Sequence, residues 1–501
     1  MTRDAAAIGA GLAPTRDARA IRPGERIHVV GAAGAGASAA ALLAAAAGAV
    51  VTACDAGGES PYSDALRGAG ISLIEGHDAA HVRTDPRPDR LAVTKALTAI
   101  DPDHAELAVA RAAGIPVEAW QQVIADAAHG RTLVAVAGTH GKSTTSGWLV
   151  QLLVDAGMDP SAFVGALLPG EITGGTPATA RTGQGRAFVV EADEYAGNFD
   201  AYRPAIAVLT SVEWDHPDVF ADDAAVHDTF ARWLAGIRHG GTIVANIGDA
   251  GVAAVIGRPE VAGARLVRVG LDETAADVRG RIVATDPDGT ILELEGLPSV
   301  EGDAITVRLP TAGRHNAANA MAVAGAAVAL GVPTVDIVRG LQTFRGVGRR
   351  LERKGEAAGV VVYDDYGHHP TAIRATIAAI RQREPGRRVW AVYEPLTYHR
   401  TAALASAFAT SLATADAVAI ADIWAGRDPD TTITSAAALA ESVADSRPGI
   451  TAVAPGSVDA TADWLALNVR DGDAVLVMGG GHSYRIATGL LERLHGDAAR
   501  R

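Results

Sequence analysis

The 501-residue chain has one cysteine, Cys54, which rules out an intramolecular disulfide framework and fits a reducing compartment; a cytoplasmic location is expected. Aromatic residues are scarce at 4%, and no apolar run reads as a membrane span. The most apolar stretch, residues 37–53, is mostly alanine, contains Gly48, and predicts a buried helix followed by a strand. Membrane insertion is therefore not expected. Positive charge is also lacking: the formal charge is −14 and no basic stripe is interleaved with aromatics, which disfavours a nucleic-acid partner. Lysine is rarest among the basic residues. Only Lys95, Lys142 and Lys354 occur among 44 basic side chains, so a lysine inside a glycine loop stands out from an arginine background.

What is present is an α/β pattern. The length suggests about three domains. Strand-length apolar runs at 27–30, 133–137, 188–190, 206–210, 360–363, 389–393, 418–421 and 474–478 are each followed by a Gly or polar loop and an Ala/Leu-rich helical stretch. That alternation predicts mostly parallel sheets. Breaks near residues 126–131 and 344–350 divide the chain into a loose N-terminal extension (1–24) and segments 25–130, 131–346 and 347–501.

The first segment opens with a strand, then Gly31-Ala-Ala-Gly34-Ala-Gly36, a helix, and a second strand ending near Asp55. Such a turn lets the backbone approach a diphosphate at a helix N-terminus, or merely permits close strand–helix packing. Its spacing is G-x-x-G-x-G rather than G-x-G-x-x-G, which weakens a nicotinamide or flavin reading and hence an NAD-dependent oxidoreductase. Asp55 reads as a ribose ligand or a turn cap, and His77 as a ligand or an ordinary loop histidine.

In the second segment a strand runs into Gly138-Thr139-His140-Gly141-Lys142-Ser143-Thr144, with a helix predicted over 146–156. Strand, phosphate loop and helix come in the order ATP binding requires. Backbone N–H groups would cradle phosphates, Lys142 would neutralise them, and Ser143 would reach Mg²⁺. Two later strands end in Glu191-Ala-Asp193-Glu194 and Glu213-Trp-Asp215-His216. If those strands are parallel neighbours of the first, both clusters meet the loop at one sheet edge, where Glu191 and His216 are candidate metal ligands.

Further on come Gly313-Arg-His315-Asn316-Ala-Ala-Asn319, the run Phe344-Arg-Gly-Val-Gly-Arg349-Arg350, and Asp364-Asp365-Tyr366-Gly367-His368-His369-Pro370. With the G-T-H-G-K-S-T loop, E-A-D-E-Y and D-H-P-D, the chain resembles the Mur ligases from about Ile27 to the C-terminal helix. The resemblance implies three α/β domains: an N-terminal Rossmann-like domain, a central P-loop ATPase-like domain with a mostly parallel sheet, and a C-terminal Rossmann-like domain. It implies ATP- and Mg²⁺-dependent amide-bond formation through an acyl phosphate in peptidoglycan precursor synthesis. For the alanine-adding type the substrates are UDP-N-acetylmuramate and L-alanine, and the enzyme is a monomer or homodimer.

By the same resemblance, Gly138 to Thr144 hold phosphates and Ser143, Glu191 and His216 hold Mg²⁺. His315, Asn316 and Asn319 contact the nucleotide, Arg349 or Arg350 a phosphate, and Asp365 the ribose. His368 and His369 lie near the reacting carboxylate or incoming amine, with Lys142, Glu191, His216, His368 and Arg400 as the catalytic set. Gly31, Gly34, Gly36, Asp55 and His77 serve the UDP-sugar.

Departures fall mainly in the third segment. Glu394-Pro-Leu396 replaces the usual Q-P-H, and Gly479-Gly-Gly-His482 the usual G-A-G-D, so glycine or L-serine stay open beside L-alanine. No lysine lies between residues 217 and 240, which excludes the carbamylated lysine of several relatives. The alternatives are a recycling ligase that attaches a preformed tripeptide and a nucleotide-sensing protein without turnover.

Overall fold

Thr132–Ala137 shows why these segments become strands. Its alternate side chains feed two cores: Leu133, Ala135 and Ala137 pack on one face of a sheet, and Val134 and Val136 on the other. A run buried on both faces forms a central parallel strand. All eight strand-length runs read from the sequence are strands in the computed structural model, which describes residues 5–298, 304–426, 428 and 430–498. They belong to three sheets.

The N-terminal sheet is wholly parallel, in the order Leu73–Glu75, Val50–Asp55, Arg26–Val30, Arg90–Val93, Val117–Ala119. The alanine-rich stretch forms the buried helix Ala35–Ala46 followed by strand Val50–Asp55, as its composition predicts. Small side chains let that helix lie close to its neighbours. A Cβ on Gly36 would sit 2.2 Å from the Trp120 ring.

The segment expected as a loose extension is instead docked where it is described. Arg16 pairs with Glu118 at 2.8 Å and Asp126 at 2.7 Å, Arg19 pairs with Glu25 at 2.6 Å, and Ile8 and Ile21 are buried. Buried carboxylates beneath it require those cations. Residues 1–4 lie outside the described set.

The central sheet has ten strands. Seven run side by side in parallel: Ser161–Leu168, Ala187–Ala192, Thr132–Ala137, Ile206–Leu209, Thr242–Asn246, Arg265–Leu271 and Val278–Asp286. Antiparallel strands extend it at both margins, a feature the sequence pattern did not disclose. Helices Lys142–Asp155 and Arg314–Ala329 cover one face. The helix after the glycine loop begins at Lys142, four residues before the predicted start, so Ser143 and Thr144 belong to its first turn.

The C-terminal sheet places Asp473–Gly479 between Val360–Asp365 and Arg388–Glu394, continues through Ala417–Ala421 to Thr451–Gly456, and ends in one antiparallel strand, Glu352–Ala357. Among the described residues no helix is long and apolar enough to cross a membrane.

Candidate active site

Thr132–Ala137 is paired in parallel on both sides, with Ala137 opposite Ala192 and opposite Leu209. The residues that follow each strand, the glycine loop and the two acidic clusters, therefore emerge side by side at one edge. This is the convergence the strand order implied.

The loop's backbone explains its glycines. Gly138 has φ +143°, and a Cβ there would lie 2.2 Å from Thr210 Oγ1 and 2.7 Å from the Ser211 carbonyl oxygen. Gly141 caps the helix with φ +80°, and its Cβ would meet Asn319 Oδ1 at 2.3 Å. Only glycine satisfies both the left-handed conformation and the close approach. The free N–H groups of the helix start are thereby presented to an anion.

Lys142 donates to the Gly138 carbonyl at 2.6 Å and to Glu194 at 3.0 Å, with Asp193 at 3.8 Å. Burial opposes its charge, but Glu194, Asp193 and Glu191 outweigh it and hold Lys142 above its ordinary value. Burial pushes Glu194 up to about 7, even with Lys142 beside it. Ser143 donates to Glu191 at 3.0 Å, and the Gly165 N–H donates to the other oxygen of Glu191 at 2.6 Å.

His216 stands beside Asp193 and Glu194, with ligand atoms of all three within 4.8 Å of one another. Burial pushes it down to about 4 despite Asp215, so its imidazole is neutral at pH 7. Arg400 reaches His216 at 3.0 Å and pairs with buried Asp215 at 2.7 Å, orienting that corner from the C-terminal part of the chain. Glu191, Asp193, Glu194 and the Ser143 hydroxyl are hard oxygen donors, and with neutral His216 they suit Mg²⁺ chemically.

All these groups line or adjoin one cavity of about 950 Å³ bounded by residues from the N-terminal, central and C-terminal parts of the chain. Thr139, His140, His315, Asn316, Asn319, Arg350, Asp365 and His368 also face it. Asn319 donates to Asn316 at 3.3 Å, and Asn316 to the Ala312 carbonyl at 2.9 Å, so this pair is ordered within its helix. Burial pushes His315 down to about 4. Both Asp365 oxygens accept backbone N–H groups, from Leu351 and Gly367, each at 2.7 Å. His368 Nδ1 lies 2.9 Å from the Tyr366 carbonyl, and burial holds its ring well below the ordinary histidine value.

Of the two adjacent arginines, Arg350 reaches the loop. Arg349 turns away to Asp364 at 3.1 Å and to the Gly479 carbonyl at 2.8 Å, held in place within the C-terminal sheet. Its left-handed φ of +57° sends the two neighbouring side chains in different directions.

The structure does not bring Gly31, Gly34, Gly36, Asp55 or His77 to the shared cavity. They gather at the C-terminal edge of the N-terminal sheet. Asp55 accepts the Ala33 N–H at 2.9 Å and the Gly57 N–H at 2.8 Å, so its oxygens brace the turn. His77 lies 3.3 Å from Cys54 Sγ. The N-terminal part of the chain instead sends Thr94, Lys95, Trp120 and Gln121 to the cavity. Lys95 donates to the Ala196 carbonyl at 2.7 Å. Its rarity among the basic residues was the only sequence signal for it. Asp193 and Glu194 were visible as part of an acidic cluster, but their place beside His216 was not.

Family models match the chain in three consecutive parts: "Mur ligase family, catalytic domain" over 26–132, "Mur ligase middle domain" over 136–327, and "Mur ligase, glutamate ligase domain" over 349–481. The chain is 40% identical to a UDP-N-acetylmuramate–L-alanine ligase of Kineococcus radiotolerans, covering 91% of this chain and 93% of the relative. It is 37% identical to that of Mycolicibacterium smegmatis, covering 94% and 95%. Among solved structures it resembles UDP-N-acetylmuramate-alanine ligase from Thermotoga maritima in fold, with TM-score 0.76, 21% identity, and 94% and 99% of the two chains covered. A murein peptide ligase from Psychrobacter arcticus aligns with TM-score 0.70 at 25% identity, covering 94% and 99%. On three family matches in chain order and relatives of this similarity along nearly the whole length, the chain belongs to the Mur ligase family.

Proposed function

We propose that the chain is an ATP-dependent ligase that joins L-alanine to the carboxylate of UDP-N-acetylmuramate, a cytoplasmic step in peptidoglycan precursor synthesis. The observation that carries this reading is the meeting of Lys142, Glu191 and His216 around one cavity lined by residues from all three parts of the chain. Near-full-length relatives named for that reaction support the choice of substrates.

A carboxylate is a poor electrophile at neutral pH. Transfer of the ATP γ-phosphoryl group to it gives an acyl phosphate, which the amine attacks as phosphate leaves. Such chemistry asks for charge neutralisation and alignment rather than a nucleophilic side chain. Lys142 and Arg350 supply fixed positive charge, and within the stretch Gly138 to Thr144 the N–H groups of the first helical turn, Lys142 to Thr144, orient the phosphates. Mg²⁺ held by Ser143, Glu191 and His216, with Asp193 and Glu194 beside them, would neutralise phosphate oxygens. His315, Asn316, Asn319 and Asp365 form the nucleoside side of the pocket, while His368 and Arg400 position the reacting groups. Residues 25–130, 131–346 and 347–501 act as sugar, ATP and amino-acid units. The edge carrying Gly31, Gly34, Gly36, Asp55 and His77 would take the UDP moiety.

The test is phosphate release from Mg²⁺-ATP with UDP-N-acetylmuramate, screened over L-alanine, glycine, L-serine and a preformed tripeptide. Release with L-alanine is expected. A strict need for the tripeptide would reassign the chain to recycling, and no acceptor-dependent release would remove the proposal.

A further inference from the structure

Away from the cavity, four side chains of metal-ligating type converge inside the N-terminal unit. His28 comes from the strand Arg26–Val30, Cys54 from the adjacent strand Val50–Asp55, His81 from the short helix Ala80–Arg83, and Glu106 from the helix Ala105–Ala112. One ligand atom from each lies within 4.8 Å of the other three. None of the four lines the ATP cavity.

Several of these atoms already stand near the spacing of neighbouring ligands on one ion. Cys54 Sγ lies 3.4 Å from His28 Nε2 and 3.4 Å from Glu106 Oε1; His28 Nε2 lies 3.4 Å from Glu106 Oε2, and His81 Nδ1 2.8 Å from Glu106 Oε1. Four ligands at tetrahedral Zn²⁺ bond lengths stand about 3.3–3.8 Å apart, so three of these contacts already match and the fourth opens by about half an ångström or more. His28, Cys54 and Glu106 are fully buried, while the ring of His81 keeps 15% of its surface exposed, which leaves an entry path.

Orientation is also provided. His28 Nδ1 hydrogen-bonds Thr52 Oγ1 at 2.8 Å, leaving Nε2 directed at the cluster, the arrangement by which outer contacts aim ligating histidines. Among the described residues the ion-pair partners of buried Glu106 are histidines alone, His28, His77 and His81. A buried carboxylate without Lys or Arg is compensated fully when it shares a cation with neutral imidazoles.

We infer that His28, Cys54, His81 and Glu106 form a structural site for Zn²⁺. Binding converts the Cys54 thiol to a thiolate and releases its proton to water, while both histidines bind as neutral imidazoles. The ion closes all four positions with protein ligands and so serves as a staple, not a catalyst. It ties two adjacent strands to the short helix Ala80–Arg83 and to the helix Ala105–Ala112.

The experiment uses untagged, full-length protein stripped with a chelator, then dialysed against Zn²⁺ or Co²⁺ in excess Mg²⁺. Wild type should retain one Zn²⁺ per chain by elemental analysis, and its Co²⁺ form should show a thiolate-to-cobalt charge-transfer band. Cys54→Ser should abolish that band and weaken Zn²⁺ binding by about 10–100-fold or more. His81→Asn, at the exposed side, should weaken binding to a similar degree and carries the test should Cys54→Ser not fold. Zn²⁺ should raise the unfolding temperature of wild type alone. Wild type that retains no Zn²⁺, or variants that retain as much as wild type, would establish a hydrogen-bonded network only and overturn the site.

Discussion

The Arg350 guanidinium donates to the Ser143 hydroxyl at 2.7 Å, joining positions 207 residues apart. Through this contact the start of the C-terminal segment touches the first turn of the phosphate-loop helix, and the same hydroxyl reaches Glu191. Arg350 also lies over the Tyr366 ring at 4.9 Å, which fixes its plane. Replacing it with alanine should lower kcat/KM for ATP by about 10²-fold, because a preorganised charge at the phosphates is lost. Lysine should restore only part of that, since a point charge does not reproduce the planar fork. Steady-state kinetics on both variants check it; two near-wild-type enzymes would contradict the role.

Lys142→Ala should reduce turnover by at least about 10²-fold, equivalent to several kcal/mol of barrier. A stability effect accompanies it. Glu194 is 2% exposed and would lose its cation, so the variant should prefer a protonated Glu194 and become less stable as pH rises. Phosphate-release assays and denaturation at two pH values separate the two effects.

His216 and His315 should govern the acid limb of stability. Burial pushes both down to about 4 from the ordinary 6.5, so between those values the unfolded chain binds protons that the folded chain refuses. Their contribution is complete above pH 6.5 and is lost as pH falls towards 4, on the order of 3 kcal/mol for each histidine. Glu194, raised to about 7 from 4.5, acts in the opposite sense: its contribution is complete below 4.5 and fades as pH rises to 7. His315→Gln should therefore flatten the plot of unfolding free energy against pH between 4 and 6.5. An unchanged slope would mean that His315 titrates as an exposed histidine.

Arg16→Ala should destabilise the fold by about 1–3 kcal/mol, since among the described residues Arg90, at 2.5 and 2.8 Å, would be the one ion-pair partner left to Asp126 and Glu118. Proteolytic cleavage within residues 5–24 should accelerate in the variant. Equal denaturation midpoints would show that the extension's docking contributes nothing.

The strand, glycine loop and helix around Lys142 were legible in the amino-acid order, because that anion site is made by contiguous backbone: positive-φ glycines and the first turn of one helix. Buried runs such as Thr132–Ala137 were equally plain, as their apolar continuity is a local property. Assembly of distant segments was not. That Arg350 faces Ser143 while Arg349 turns to Asp364 depends on a local backbone twist read only in three dimensions. Likewise, Lys95 reaches the cavity, Glu194 sits between Lys142 and His216, and His28, His81 and Glu106 from three other elements gather around Cys54 because sheets and helices pack in one relative placement. Local conformation follows from neighbours along the chain, whereas pairing of charges across hundreds of positions follows from burial, whose energy depends on the completed fold.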